Sequence, residues 1–200
     1  MNTGWGVDEE RVLGLLDAVG ERSEVSQRDM AKRLGIALGL ANSYLKRCVR
    51  KGYIKISDAP ANRYLYYLTP KGFAEKSRLT AMYLTASLSF YRKAGESCLR
   101  VYRQCEALQW RQVVLCGVSD LAEIASLKAL ESGVEILGNY DPRADQKRFV
   151  NAPVWNQFNK VCACDGWIVT DLQAPTRMFE HIIELVGPER LLVPDILRLE

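Results

Sequence analysis

Two short helical patterns joined by a tight turn lie between residues 27 and 50. Ser26 precedes the first pattern, QRDMAKRLG, where a serine cap with Asp29 in the first turn suits the start of a helix. The second pattern, ALGLANSYLKRCVRKG, carries apolar residues at helical spacing, which predict a buried stripe: Leu38, Ala41, Leu45 and Val49. Two short helices in this arrangement, the second rich in polar and basic groups, predict a helix-turn-helix.

Flanking segments extend this pair into a winged helix. Residues 8–20 predict an amphipathic helix in front of it. Behind it, YIKI and YLYYLT predict two strands around the turn-rich SDAPANR, which together form a hairpin wing. Thr69 and Pro70 then begin another helix, as its cap and its first helical residue. The order helix, helix, helix, strand, strand, helix predicts an α+β winged helix-turn-helix.

The charge of the chain is distributed unevenly. The net charge is +3, yet residues 22–76 hold 12 Lys and Arg against 4 Asp and Glu, whereas residues 111–200 hold 9 against 13. A basic segment beside an acidic one is typical of a nucleic-acid-binding module joined to another domain. A basic face that is merely solvated is the alternative that charge alone leaves open.

Candidates for DNA contact lie on the exposed faces of the second helix and in the wing. Asn42 and Ser43 suit hydrogen bonds to base edges in a major groove, and Arg63 in the wing suits a minor groove. Phosphate contacts, which supply most of the affinity and its salt dependence, are assigned to the basic residues: Lys46, Arg47, Arg50 and Lys51. The alternative for each is a solvated side chain, and for the whole module a winged helix that binds protein.

GIALGLANSYLKRCVRKGYIK and YLYYLTPKGFAEKSRLT resemble the winged-helix part of MarR-type transcriptional regulators over about residues 10–85, in particular the subgroup associated with exopolysaccharide gene clusters. The resemblance implies a dimeric, bacterial-type regulator that binds double-stranded operator DNA. In that subgroup a serine is expected where Ala37 stands and a lysine where Leu40 stands. Both departures lie at the amino end of the recognition helix, so they bear on which DNA sequence is read.

Residues 71–109 predict one long helix, because they contain no proline and only Gly72 and Gly95 as glycines, with Gly95 as the candidate break. A helix of this length cannot be covered by a module of about 70 residues, so we expect a second copy of the chain to cover it. Packing against the C-terminal half is the alternative. Cys98 and Cys105 share one face of this helix, either as buried small apolar residues or as a redox pair.

From Val113 onwards the pattern changes to strands that alternate with helices. QVVLCG, VEILGNYD, GWIVTD and RLLVPDIL predict strands, RFVNAPVWN a short extended piece, and SDLAEIASLKALESG and APTRMFEHIIELVG helices. This alternation predicts a small α/β Rossmann-like domain with a mainly parallel sheet. The predicted organisation is a winged-helix domain over 1–76, a linker and dimerisation helix over 77–110, and a ligand-sensing domain over 111–200.

GVSDLAE, which follows the first of these strands, resembles the G-x-G-x-x-A loop of Rossmann domains with Ser119 in place of the second glycine. The start of the next helix offers N–H groups to an anion, whereas Asp120 would repel one. Asp141, 24 residues after Gly117, stands where an acidic residue binds a ribose, and Arg143 suits a phosphate. The predicted ligand-binding residues are Gly117, Ser119, Asp120, Leu121, Ala122, Asp141 and Arg143.

These residues favour a nucleotide-type or phosphorylated small-molecule effector, the cofactor is unknown, and a platform that has lost its ligand is the alternative. NYDPRADQKRFVNAPVW also resembles CoA-binding-like domains and the N-terminal domains of sugar acyltransferases. Rex-type redox regulators share the predicted layout, although GVSDLAE does not match their glycine pattern.

Catalytic and metal-binding patterns are missing from the sequence. His181 is the one histidine, and no Cys–His or Ser–His arrangement surrounds it, so we expect no catalytic residues and no enzyme. Cys162 and Cys164 stand too close together for ordinary zinc ligation, which leaves a thiol-based redox or metal response as an alternative. No apolar run is long enough to span a bilayer, and the N-terminus is unlike a signal peptide. We therefore expect a cytoplasmic DNA-binding transcription regulator without membrane contact; the other alternative is a winged-helix interaction scaffold.

Overall fold

In the computed structural model, residues 5–59 and 63–199 are described, apart from the side chains of Ala59 and Arg63. The chain divides into two compact units, Met1–Leu88 and Ser89–Glu200. The first unit contains α1 (Val7–Glu21), α2 (Gln27–Arg33), α3 (Leu38–Arg50), β1 (Ile54–Ala59) and β2 (Arg63–Leu68). Helix α4 (Pro70–Ala107) begins in the first unit and ends in the second. The predicted winged helix and the long helix after it are confirmed.

The three short helices of the first unit form because local capping and burial act together. The predicted cap at Ser26 is a complete capping box, in which the Ser26 hydroxyl accepts from the Asp29 N–H and the Asp29 carboxylate accepts from Ser26. Leu15 and Leu16 of α1 and Met30 of α2 are almost fully buried in the core of this unit. Strands β1 and β2 pair antiparallel, with Ile54 opposite Leu68.

The joint between the wing and α4 is held by a cluster of backbone contacts. The Thr69 hydroxyl caps α4 by accepting from the Gly72 N–H at 3.0 Å, and it donates to the Gly52 carbonyl at 2.6 Å. The Thr69 N–H donates to the Tyr53 carbonyl at 3.0 Å. A Cβ on Gly72 would lie 2.0 Å from that same Tyr53 oxygen, so only glycine fits there. The LTPKG sequence therefore fixes where α4 starts.

Two details of the predicted helices are wrong. Gly95 does not break α4, which runs without interruption from Pro70 to Ala107. Leu38 is 41% exposed because it stands in the first turn of α3, beyond the edge of the core. The buried face of α3 consists instead of Ala41, Tyr44, Leu45 and Cys48.

The second unit is built on a six-stranded mixed sheet. Its strands are β3 (Gln112–Cys116), β4 (Glu135–Tyr140), β5 (Arg148–Phe149), β6 (Ala152–Trp155), β7 (Gly166–Val169) and β8 (Leu191–Leu192), in the order β5-β6-β4-β3-β7-β8. Every neighbouring pair is parallel except β5 and β6. The predicted strand over RLLVPDIL is reduced to Leu191–Leu192, since Pro194 precedes a short 3-10 helix at Asp195–Leu197.

Side chains alternate between the two faces of this sheet, and helices cover both faces. Val113 and Leu115 of β3 pack in one core with α5 (Asp120–Ala129) and the last turns of α4. Val114 and Cys116 pack in the other core, with α6 (Pro175–Val186). Within the described residues, no helix combines the length and apolar character that crossing a bilayer requires.

Candidate nucleic-acid interface and candidate ligand loop

Helix α3 presents its polar face away from the core of the first unit. The turn before it contains Gly35 at φ +61, a conformation that favours glycine. Arg47 and Arg50 lie in the last turn of α3, where the negative end of the helix dipole stabilises cations. The local sequence thus fixes both the direction of α3 and the sign of the charge at its carboxyl end.

A groove of about 570 Å³ runs between α3 and the wing. Three of the predicted DNA contacts line it: Asn42, Lys46 and Arg50. Lys46 and Arg50 are exposed and form no ion pair within the described part of the chain. The groove therefore brings two uncompensated cations and an amide to one surface.

Sequence reasoning missed the other wall of this groove, which includes Gln27, Ile56 and Tyr64. Tyr64 is 56% exposed and Ile56 is 40% exposed. The Gln27 amide donates to the Tyr66 hydroxyl at 3.2 Å, which joins α2 to β2. The signal was present in the sequence, because the two-residue period of a strand places Tyr64 and Tyr66 on the same face.

Arg47 lies differently from Lys46 and Arg50. Its Nη1 donates to the Asp8 carboxylate at 3.0 Å, and its guanidinium carbon lies 5.8 Å from the centre of the Tyr44 ring. The hydrogen bond to Asp8 raises the pKa of Arg47, while hydrogen bonds from Tyr44 and then Arg47 lower the pKa of Asp8. The charge of Arg47 is thus compensated by α1 before any partner arrives.

Three predicted DNA contacts remain, and each has different surroundings: Ser43, Lys51 and Arg63. The Ser43 hydroxyl donates to the Gly39 carbonyl at 3.0 Å, so its hydrogen is used inside α3. Lys51 is exposed, and its Nζ lies 5.7 Å from the centre of the Tyr53 ring. Arg63 begins β2, but its side chain lies outside the described residues.

In the second unit, Gly117 is required by a close approach of the backbone. Its φ is +106, and a Cβ at this position would lie 2.7 Å from both Cα and N of Asp171. The segment after β7 therefore passes directly against the loop after β3. This contact alone accounts for the glycine that the sequence pattern associated with a ligand.

Ser119 is the cap of α5, and its hydroxyl is fully engaged. The Ser119 Oγ accepts from the N–H groups of Leu121 at 3.1 Å and Ala122 at 3.3 Å, and it donates to the Thr170 carbonyl at 2.5 Å. The side chains of Leu121 and Ala122 are buried, whereas Asp120 is exposed at the first helical position. Two of the amides that were expected to meet an anion are thus used by the protein itself.

Asp141 and Arg143 belong to an internal ion network. Arg143 Nε donates to Asp141 Oδ1 at 3.1 Å, and its Nη2 donates to Asp141 Oδ2 at 3.2 Å and to Asp171 Oδ2 at 2.6 Å. The Val118 N–H also donates to Asp141, at 3.1 Å. Burial acts to raise the pKa of Asp141, but these hydrogen bonds outweigh it, and the pKa of that carboxyl is lowered. Asp141 and Arg143 are thus partners of each other, whereas Gly117 packs against Asp171 and Ser119 bonds the start of α5 and Thr170.

The cysteines differ sharply in their surroundings. Cys98, Cys105 and Cys116 are buried, whereas Cys162 is exposed. Burial raises the pKa of the Cys98 and Cys105 thiols to about 12, so both carry their proton near neutral pH and react slowly. Among residues 5–59 and 63–199, no cluster of three His, Cys, Asp or Glu side chains could hold a metal ion. These observations disfavour the thiol-based alternative for the helix pair.

Comparison with known proteins agrees with the helix-turn-helix. Residues 9–55 match the family model described as winged helix-turn-helix DNA-binding. Among curated proteins, none shows significant similarity to this chain. The matched segment runs from α1 to the start of β1, which is the part of the first unit that contains the predicted helix-turn-helix.

Several solved structures of regulators are similar over part of the chain. PcaV from Streptomyces coelicolor, a transcriptional regulator in complex with its natural ligand, has 22% identity, covers 40% of this chain and 57% of its own, and has a TM-score of 0.37. MepR of Staphylococcus aureus, a regulator of the efflux pump MepA, has 20% identity, covers 42% of this chain and 61% of its own, and has a TM-score of 0.36. Streptococcus pneumoniae FabT in complex with DNA has 23% identity, covers 48% of this chain and 75% of its own, and has a TM-score of 0.33. This chain thus spans less than two thirds of PcaV and MepR, and TM-scores below 0.5 establish no shared fold over whole chains.

Proposed function

We propose that this chain is a homodimeric, MarR-type transcription regulator that binds double-stranded operator DNA through α3 and the wing. The observation that carries the proposal is the groove between α3 and the wing, with Lys46 and Arg50 uncompensated along one wall and Tyr64 exposed on the other. The match of residues 9–55 to a DNA-binding family model supports it. Helix α3 enters the major groove, and its basic groups contact phosphates.

A second copy of the chain is the proposed partner for α4. Large apolar side chains stand exposed on α4: Leu84 is 53% exposed and Leu88 is 57% exposed. They are four residues apart and therefore lie on the same face of the helix. Tyr83, adjacent to Leu84, is also 47% exposed. Covering this face in a symmetric dimer also places two recognition helices on a two-fold symmetric operator.

The proposed division of labour follows the boundaries predicted from the sequence. Residues 1–76 read the DNA, 77–110 pair two chains, and 111–200 form a Rossmann-like domain that senses a small-molecule effector in the cytoplasm. An effector that binds one domain arrangement more tightly than another shifts the population between them and changes operator affinity. The resemblance to the exopolysaccharide-associated subgroup points to genes of polysaccharide or cell-envelope synthesis.

Salt-dependent DNA binding tests the proposal. We would measure fluorescence anisotropy of a labelled duplex pool with the full chain between about 50 and 200 mM salt. We expect log K to fall linearly with log salt concentration, and the Lys46→Ala/Arg50→Ala variant to lower that slope by about two, because each removed cation neutralises one phosphate. Lys147→Ala/Lys160→Ala, which removes two exposed cations from the second unit, is the matched control and should leave the slope unchanged.

Two results would count against DNA reading by α3. A native protein that does not bind duplex DNA at low salt would favour the interaction scaffold. A double variant with the native slope would show that phosphates are bound elsewhere on the chain.

A further inference from the structure

A cavity of about 240 Å³ lies beside the first turns of α6, lined by residues that follow β4 and β7 and by α6 itself. Its polar lining comes from Arg143, Asp171, Arg177 and His181, and Met178 contributes an apolar wall. We propose that this cavity binds the phosphate group of a small phosphorylated metabolite. The site uses Arg143 of the predicted ligand-binding residues and adjoins the GVSDLAE loop through Asp171, but it does not use the Ser119 hydroxyl or the helix amides that Ser119 already bonds.

Arg177 is the first component of the site. It is exposed, and it forms no hydrogen bond or ion pair within the described residues. It also stands in the first turn of α6, where the positive end of the helix dipole disfavours a cation. The first turns of α1, α2 and α5 carry acidic residues instead. An anion between Arg177 and the helix end would compensate both positive charges.

Arg143 is the second component, and it is already oriented. Its Nε and Nη2 are held by Asp141 and Asp171, while Nη1 has no partner within the described part of the chain. Its side chain is 45% exposed. Two buried carboxylates thus fix the guanidinium plane and leave one nitrogen with two N–H donors for a ligand.

His181 is the third component. Its Nε2 hydrogen-bonds the Tyr140 hydroxyl at 2.9 Å, and its ring stacks on Tyr140 with centroids 5.9 Å apart. Nδ1 has no partner within the described residues. When Nε2 accepts the hydrogen of the Tyr140 hydroxyl, the neutral ring carries its own hydrogen on Nδ1, which is then free to donate to an oxygen of a ligand in the cavity.

The size and charge of the cavity select the class of ligand. At about 240 Å³ it is smaller than the roughly 300–1,000 Å³ of most small-molecule sites, so it suits a phosphate with a short carbon skeleton. Arg177, Nη1 of Arg143 and the imidazole offer several donors to the acceptor oxygens of a phosphate, and the Asp171 carboxylate beside them opposes the anion. Met178 provides a surface for the carbon atoms. An effector role for this ligand rests on the proposed function, whereas the binding site itself does not.

Calorimetric titration of inorganic phosphate into the full chain, at ionic strength matched with sodium chloride, tests the site. We expect saturable binding, about tenfold weaker in Arg177→Gln because the variant lacks one charge-assisted hydrogen bond to phosphate. Asp171→Asn should bind phosphate more tightly, since it removes a negative charge beside the cavity and keeps an oxygen to cap Gln173. Arg103→Gln, which removes the same charge from an exposed position of α4 in the second unit, is the control and should match the native protein.

The results separate the site from its role. No saturable phosphate binding, or equal affinities for the native protein and Arg177→Gln, would overturn the proposal. If Asp171→Asn fails to fold by circular dichroism, the comparison of Arg177→Gln with Arg103→Gln decides alone. DNA affinity measured on the same samples with and without phosphate tests the effector role: an unchanged DNA affinity with phosphate bound would reject that role and keep the site.

Discussion

Helix α3 with its wing and the loop after β3 are two regions where the sequence carries conspicuous polar residues, and the structure treats them in opposite ways. In the first, Lys46 and Arg50 line an open groove and form no ion pair with any residue that the structure describes. In the second, Asp141 and Arg143 bond each other at the carboxyl edge of the sheet. The difference shows that groups paired inside the chain serve the fold first, and that only donors left over from such pairing, such as Nη1 of Arg143, stay available to a ligand.

Burial explains the difference. The side chain of Asp141 is only 6% exposed, so its oxygens must find partners inside the protein or lose the free energy of hydration. Exposed cations such as Lys46 keep their hydration and therefore need no partner within the chain. Similar residue types are therefore mostly paired beside the loop after β3 and are exposed to solvent on α3.

The largest expected difference between the two regions is in the free energy of unfolding after replacing one glycine in each. Gly117→Ala forces a Cβ against the Asp171 backbone at positive φ and should destabilise the protein by about 3 kcal/mol. Gly39→Ala in α3 meets nothing within 4 Å and should stabilise it by roughly 0.5 kcal/mol. Urea unfolding followed by tryptophan fluorescence measures both. A Gly117→Ala protein as stable as the native one would mean that the segment after β7 can move aside.

Removal of the arginine that joins the two carboxylates should have the next largest effect. Arg143→Gln leaves Asp141 and Asp171 buried without their cation, and we expect a decrease of about 2 kcal/mol in the free energy of unfolding at neutral pH, less than for a fully buried pair because Arg143 is 45% exposed. Arg103→Gln serves again as the control for removal of one positive charge.

The pH dependence of that decrease gives its cause. The pKa of Asp141 is lowered from 3.8, so its stabilisation is present above about pH 4 and disappears as the pH falls through the folded value. Unfolding measured from pH 7 to pH 3 should therefore show the native and Arg143→Gln proteins converging in acid. A difference that stays constant with pH would indicate that the packing of Arg143, rather than its charge, is responsible.

The smallest expected effect is the difference in DNA affinity between two arginine variants of α3. Arg50→Ala should weaken DNA binding about tenfold, whereas Arg47→Ala should weaken it less than about threefold, because Asp8 already compensates Arg47. Asp8→Asn should strengthen binding by releasing that charge. Anisotropy titrations at one salt concentration measure all three. Equal effects of Arg47→Ala and Arg50→Ala would show that Arg47 leaves Asp8 when DNA binds.

Elements with a clear period or a local cap were predictable from the sequence. The Ser26 capping box, the buried stripe of α3 from Ala41 and the strand–helix alternation after Val113 all depend on neighbouring residues. Features set by distant segments were not predictable. Leu38 fits the helical stripe but lies beyond the edge of the core, and the RLLVPDIL segment pairs with β7 over only two residues.

The candidate sites divide in the same way. The cations of α3 follow from helical spacing alone, since one face of the helix must meet the core. The partners of Arg47 and Arg143 come from residues 39 positions away on α1 and 28 positions away after β7, which no local pattern encodes. Strand alternation places Tyr64 on one face of the wing, but the sequence does not show that this face lies beside α3 and lines the same groove.

The Thr69–Gly72 joint has a mechanical consequence. A hinge needs residues that can change φ and ψ at low cost, and here one hydroxyl bonds two backbone groups while Gly72 lies against the Tyr53 carbonyl. Bending at this point would break three hydrogen bonds at once. The end of the wing and the start of α4 therefore move together, so that a displacement of the start of α4 carries the wing with it.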